Sequence, residues 1–538
     1  MVFARRSTTL LAAIIASCAM VLSLTACTSD NKTVVDGQTT VTSNSAGGVA
    51  VFTPSDGITL NQQTPLNKWA KLVPDLAKAL ADAGFKKGDI DHTTSDSLAK
   101  QSRAIQDFVV DHLSNNTTDD SGIAIAPDNM TLLVAPVVEA DASTRQYGDY
   151  ISQNLSTNDA TDEGATSDGE SSEDDSSNTE SDSTASDEQA QAVDRLVSSL
   201  KLAKESGMHV VLLGNSIEGY KPDAFVKFSD AQTIGKLQAE KMVSKLKLDK
   251  ASKDNPKYIE VLLPYTAVDE KGNANDSTFA QEAFRGIWQV LGSYYQKGVV
   301  ESPSGTLDGK STENDWQAVA YDAAKEGSTA KVLDKRLAKT DGQSTLTRID
   351  GIITMNDYIA SEVVKELDDL GYTGSAADIN PQITISGIVG NITGKKDLSR
   401  DAVPDPIKSP ENDNANDSSS SDDDADEDTS ASDKDRDSQW PLVTGYGAYV
   451  SNIPSIVNGK QWMTGMEDRQ TIATDIAQAC AKLNKGEALN SMPSIRNSEV
   501  GGVKKIPTIS EPLLAVSASN LKSALIDPGY ISLADAGL

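Results

Sequence analysis

The chain has 538 residues but only three cysteines and three histidines. Cys18 and Cys27 fall in the apolar N-terminal segment, and Cys480 stands alone in a helical pattern over 468–483. A disulfide framework is therefore excluded, and Cys480 reads as a packed core residue. His92, His112 and His209 are scattered, which leaves little raw material for a histidine metal site or a histidine-based triad. Gly214-Asn-Ser-Ile-Glu-Gly219 is one residue too long for a nucleophile elbow. Gly390-Asn-Ile-Thr-Gly394-Lys395-Lys396 lacks both the spacing and the closing hydroxyl of a phosphate-binding loop. These absences argue against an enzyme, and neither a catalytic group nor a cofactor is expected. Positive charge is scarce as well, with 48 Lys and Arg against 79 Asp and Glu and a formal net charge of −31. That balance argues against a nucleic-acid partner.

The acidity is unevenly spread. Residues 157–189 carry twelve acidic side chains and no Lys or Arg; residues 409–438 carry twelve against Lys434 and Arg436. Both are almost free of apolar groups, cannot bury enough surface to offset chain entropy, and are expected as disordered insertions. Residues 28–48, rich in Ser, Thr, Asn, Asp and Gly, read as a flexible spacer.

The apolar run from Leu10 to Leu24 is too short for a comfortable membrane span. It follows Arg5-Arg6 and closes with Leu24-Thr-Ala-Cys27, the architecture of a secretory signal. A small-residue site ending in Cys resembles a bacterial lipoprotein signal. That resemblance implies that Cys27 becomes the lipidated first residue and tethers the protein outside the cytoplasm. Each buried acyl methylene contributes about 0.8 kcal/mol to such a tether. An ordinary signal cut near Ala26 is the other reading.

From Val49 the pattern alternates. Apolar strand words at 49–52, 130–136, 209–213, 258–264 and 351–354 are interleaved with helical periodicity at 67–83, 97–113, 189–206, 278–295 and 315–326. Pro74 is tolerated only near a helix start, which moves the first helix past Asn67. The clearest unit runs from Asp350 to Gly387. Its strand 351–354 precedes a helix with the stripe Ile359, Val363, Val364 and Leu367, stopped by Gly371 and Gly374, and a second strand is expected at 383–386. Such βαβ units predict an α/β fold with parallel sheets covered on both faces. Asn356 and Asp357 lie at the carboxyl end of the first strand, where ligands bind in open α/β sheets and where a helix cap is also needed. An ordered body of roughly 400 residues exceeds one core and suggests two lobes.

Several words, in order, resemble the type 1 periplasmic binding proteins and, within them, the D-xylose-binding branch of the sugar binders. They are Asn67-Lys68-Trp69, then Phe225 through Ser229-Asp230 to Gly235 and Gln238-Ala239, then Val268-Asp269 with Asn273-Ala-Asn275 and Phe284-Arg285-Gly286. Met355-Asn356-Asp357, Val443-Thr-Gly445, Ile456 to Gln461 with Met463-Thr464, and Ile506-Pro507 to Tyr530 complete the series. The resemblance implies a two-lobed clamp with three crossover segments that closes on a sugar by a hinge motion. It places Lys68 and Trp69 at the cleft's first edge, Asn215 after the strand at 209–213, Asn275 in the second lobe's first loop, Asn356 and Asp357 at the Asn-Asp turn, Trp316 as a stacking platform and Tyr446 before a hinge. The chain departs from the branch in two charged positions: Gly214-Asn215 stands for Asp-Arg, and Gly445-Tyr446-Gly447 for Gly-Gln-Asp. These departures imply a different, less polar ligand or a clamp that has lost its import role.

The expected division is a signal at 1–27, a spacer at 28–48, an N-terminal lobe at 49–228 and a C-terminal lobe at 229–464. A return to the first lobe follows over 465–490, with 491–538 in the second lobe and tail. The expected partners are a sugar-like small molecule, the permease subunits of an ABC importer and the membrane through the lipid anchor, with no nucleic acid and a monomeric state. A ligand sensor or cell-surface scaffold is the rival function.

Overall fold

A computed structural model describes residues 46–55, 65–115, 125–138, 144–151, 153–156, 180–268, 275–338, 346–376 and 439–538. Cys27, most of the spacer, the strand expected at 383–386, residues 157–179 and the acidic stretch 409–438 lie outside the described residues.

Two sheets organise the body. In the first, seven strands run in the order Ile495–Val500, Val503–Ile509, Ala224–Val226, His209–Leu213, Met130–Val134, Gly48–Pro54 and Ile90–Ser95. All neighbours are parallel except the first pair. Side chains alternate across this sheet. Val49 and Val51 pack under the helices Trp69–Asp82 and Arg469–Leu483, while Ala50 and Phe52 face Leu98–Asn115 and Glu180–Glu205. Both faces are thus covered, which is why the strands read as continuous apolar words.

The second sheet orders Val300–Glu301, Lys257–Val261, Gly351–Ile353, Leu442–Tyr446, Met463–Met466 and Leu514–Ser517. It is parallel apart from its last strand. Helices Ala231–Leu246 and Thr278–Gln296 cover one face, and Ser328–Arg336 with Asp357–Leu370 cover the other. Reciprocal glycines bring the first two helices together. A Cβ on Gly235 would fall 2.2 Å from the Ala283 oxygen, and one on Gly286 would fall 2.0 Å from the Gln232 oxygen.

The chain passes between the lobes at 227–230, 467–468 and 510–513. Glu467 stitches two of these crossings. Its Oε1 accepts from the Ser229 backbone N–H at 2.7 Å, from the Ser229 hydroxyl, and from Tyr446 OH at 3.3 Å. Burial pushes the Glu467 carboxyl up, against the pull of these donors.

The structure corrects the sequence reading in three places. Residues 491–509 form a hairpin that joins the first sheet beside Ala224–Val226, not the second lobe, because Val503–Ile509 finds a free parallel edge there. Gly351–Ile353 itself lies between Leu442–Tyr446 and Lys257–Val261. The helix expected from residue 189 begins at Glu180, inside the acidic stretch expected to be disordered. The helix expected over 315–326 is one turn, Trp316–Val319, after which Ala320–Tyr321 extends to pair with Leu263–Pro264. Strand pairing there overrides the local helical period.

Candidate functional site

The carboxyl ends of the parallel strands of both sheets face the crossover region. The turn between Ile353 and the next helix shows how the local fold aims a side chain there. Met355 takes φ 68°, unusual for a residue with a side chain, and its carbonyl accepts from the buried Gln238 amide at 3.0 Å. Gln238 is fixed in turn by the Thr444 hydroxyl at 2.7 Å. Asn356 then caps Asp357–Leu370 by accepting from Ile359 N–H at 2.9 Å, which leaves its amide NH₂ to point outward.

That NH₂ donates to Gln146 Oε1 at 3.1 Å. Gln146 belongs to residues 144–151, a loop inserted after Met130–Val134 that contacts both lobes. Tyr449 OH donates to the Gln146 carbonyl at 2.7 Å, and Tyr147 packs on Phe279 and Tyr446 with ring centroids 4.7 and 6.3 Å apart. On the other side, Asp149 receives Lys68 Nζ at 2.7 Å and Trp69 N–H at 3.1 Å, at the start of the Trp69–Asp82 helix. A carboxylate is well placed at that positive helix end. Tyr150 OH donates to the Lys68 carbonyl at 2.6 Å, and its ring stacks on Phe228 at 4.6 Å and meets Trp69 edge-on at 5.0 Å. Gly148 allows this approach. Its φ is +100°, and a Cβ there would fall 2.5 Å from the Asn67 carbonyl.

The loop therefore brings Lys68, Trp69, Asn356 and Tyr446 into one assembly. Asn215 supports it from behind: its Oδ1 accepts from Gln153 N–H and its Nδ2 donates to the Pro136 carbonyl, both at 2.9 Å. Asn275 and Trp316 meet elsewhere, at Tyr265. Tyr265 OH donates to the Asn275 carbonyl at 3.1 Å, and Trp316 lies edge-on to Tyr265 at 5.1 Å. Asp357 turns into its own lobe, where its carboxylate accepts from Gln461 Nε2 at 2.7 Å, Tyr449 N–H at 2.9 Å and the Thr464 hydroxyl at 2.9 Å. Burial outweighs those donors and pushes its carboxyl up to about 6. Tyr446 is fully buried, and burial beside Glu467 raises its phenol well above the usual range.

Sequence reasoning missed Gln146, Tyr147, Asp149, Tyr150, Phe228 and Glu467. The one available signal was the aromatic word Tyr147-Gly-Asp-Tyr150 at the edge of an acidic, apolar-poor stretch. Asn67, next to Lys68 and Trp69, is 1% exposed. Its Nδ2 has no hydrogen-bond partner among the described residues.

No protein-family model matches this chain. A multiple sugar-binding periplasmic protein of Azospirillum brasilense is 35% identical over 91 residues, 17% of this chain and 24% of that protein. The chain thus matches about a quarter of that curated relative's length. Among solved structures, an ABC transporter solute-binding protein from Clostridium phytofermentans with bound β-D-glucose is 18% identical, with a TM-score of 0.44. The match covers 91% of this chain and 99% of that one. A carbohydrate transporter solute-binding protein from Chloroflexus aurantiacus in complex with D-glucose is also 18% identical at a TM-score of 0.44, covering 92% and 98%.

Proposed function

We propose that this protein is the extracytoplasmic solute-binding component of a carbohydrate ABC importer, tethered through lipid on Cys27 and without catalytic activity. One observation carries the reading. Two α/β lobes joined by three crossovers oppose an aromatic wall, Trp69 with Phe228, to a polar one, headed by the outward amide of Asn356. An aromatic face suits the C–H face of a sugar, and planar amides suit its hydroxyls. Closure around a solute removes water and strengthens both. The curated match to a sugar-binding periplasmic protein agrees in kind. The ligand class is a sugar or a related polyhydroxyl compound, and the closed shape is what permease subunits would read.

The test is a thermal-shift and calorimetry screen of the full chain against mono- and oligosaccharides. A sugar at 100 times its dissociation constant stabilises the fold by about 2.7 kcal/mol. The shift should vanish in Trp69→Ala and Asn356→Ala. No response to any sugar, with the chain as it stands and with Gln146 and Asp149 both replaced by alanine, would overturn the reading. A second reading, a sensor or surface scaffold that delivers no solute, is favoured by the loop that already fills the space between the walls. Uptake of a bound sugar in cells carrying the cognate permease would exclude it.

A further inference from the structure

We propose that residues 144–151 are an internal occupant of the cleft, standing where a solute would sit and holding the clamp shut without one. The inference rests on the binding reading above and adds its regulation.

A solute in such a clamp must accept from the donors of one wall, accept from the donors of the other, and cover the aromatic face. The loop does all three. Asp149 accepts from Lys68 Nζ and Trp69 N–H on the first lobe, while the Gln146 side chain and carbonyl accept from the Asn356 amide and Tyr449 OH on the second. The Tyr150 ring covers Trp69 and Phe228, and Tyr147 packs on Phe279 and Tyr446 across the cleft. Tyr147 and Tyr150 are 1% and 2% exposed, so the loop is an interior element rather than a surface turn. Gly148 lets the loop reach Asn67 closely enough for Asp149 N–H to donate to its carbonyl at 2.8 Å.

The mimicry is incomplete at one point. Asn67 Nδ2 is buried at the same wall without a partner among the described residues. A ligand that displaces the loop and also satisfies this amide gains an interaction that the loop lacks, which gives the clamp a way to exchange its own segment for a solute. Until then the loop competes, and the apparent affinity falls by the fraction of molecules whose cleft is open.

The test separates this inference from the function itself. Zero-length carbodiimide coupling of the full chain, without sugar, should join Lys68 to Asp149, read as a linked peptide pair by mass spectrometry. Small-angle scattering should show the sugar-free chain as compact, with Gln146→Ala/Asp149→Ala larger under the same conditions and still cooperatively folded by its melting curve. Gly148→Val, which drives the loop off Asn67 while keeping both polar side chains, should expand it likewise. For any sugar that binds, D-glucose being the first probe, the double variant should bind at least roughly tenfold more tightly than the unaltered chain. The proposal is overturned if the Lys68–Asp149 link does not form. It is equally overturned if folded variants scatter like the unaltered chain, or if a sugar binds both with the same affinity. Should no sugar bind either chain, the binding reading falls, while the cross-link and the scattering still decide where the loop sits.

Discussion

The two walls of the cleft are built on different principles. The N-terminal wall is aromatic and owes its shape to packing: Trp69 sits between Tyr150 and Phe228 and is only 3% exposed. The C-terminal wall is polar and owes its shape to hydrogen bonds, with Asp357 tying Tyr449, Gln461 and Thr464 into one network behind Asn356. The difference teaches that a wall of rings recognises by shape and loses stability when cut. A wall of hydrogen bonds is held by direction, and a cut at its outer amide costs less stability than a cut at a ring. Substitutions on the two sides should therefore differ in kind.

Trp69→Ala is expected to have the largest effect. It removes a core indole and the support of two further rings, for a loss of about 3–5 kcal/mol in urea unfolding. A loss under about 1 kcal/mol would mean that the aromatic wall is not a packed unit.

The next effect is pH-dependent and belongs to the polar wall. Asp357 is fully buried, and burial raises its carboxyl from 3.8 to about 6 in the folded chain. The native state therefore holds a proton that the unfolded chain releases. The corresponding stability is complete below about pH 4 and is lost as pH rises through about 6, on the order of 3 kcal/mol by linkage. Asp230 works in the opposite sense. Burial raises its carboxyl, but hydrogen bonds from Thr233 and Lys227 outweigh this and leave it lowered, so its contribution is lost as pH falls. Asp357→Asn should flatten the melting temperature between pH 4 and 6 relative to the unaltered chain. An unchanged pH profile would remove Asp357 as its source.

Asn356→Ala should cost only about 1 kcal/mol, the usual value of a helix N-cap. Its larger consequence should be on the Gln146 contact and on any sugar affinity, measured by calorimetry. A loss as great as that of Trp69→Ala would erase the contrast between the walls.

What could be read from the sequence was local. The apolar strand words and the Asn356 cap are set by neighbours a few residues away. Gly501-Gly502 between Val500 and Val503 is a hairpin signal that the sequence reading did not use, and both glycines take positive φ in the turn. The sheet that hairpin joins is decided by an open edge at Ala224–Val226, about which periodicity says nothing. Asp357 shows the same limit within the site. Its position after the strand was legible, but its direction depends on Gln461 and Thr464, more than a hundred residues on. The loop at 144–151 was hidden most deeply, because its partners lie on both lobes, from Lys68 to Asn356 and Tyr449.

Lys68→Ala should have the smallest effect and still discriminates. The Lys68 and Asp149 side chains are 14% and 19% exposed, and Asp149 keeps the Trp69 N–H when Lys68 is cut, so about 1 kcal/mol or less is expected from the loss. A double-mutant cycle with Asp149→Ala isolates the pair from the second contact of Asp149, the Trp69 N–H, which survives in Lys68→Ala. The coupling energy should shrink in 1 M salt, where the screening length is about 3 Å. The effect of Trp69→Ala should not, since packing is indifferent to counter-ions at that level. If both respond alike to salt, the N-terminal wall is held by charge and not by its rings, and the distinction between the two walls fails at its aromatic side.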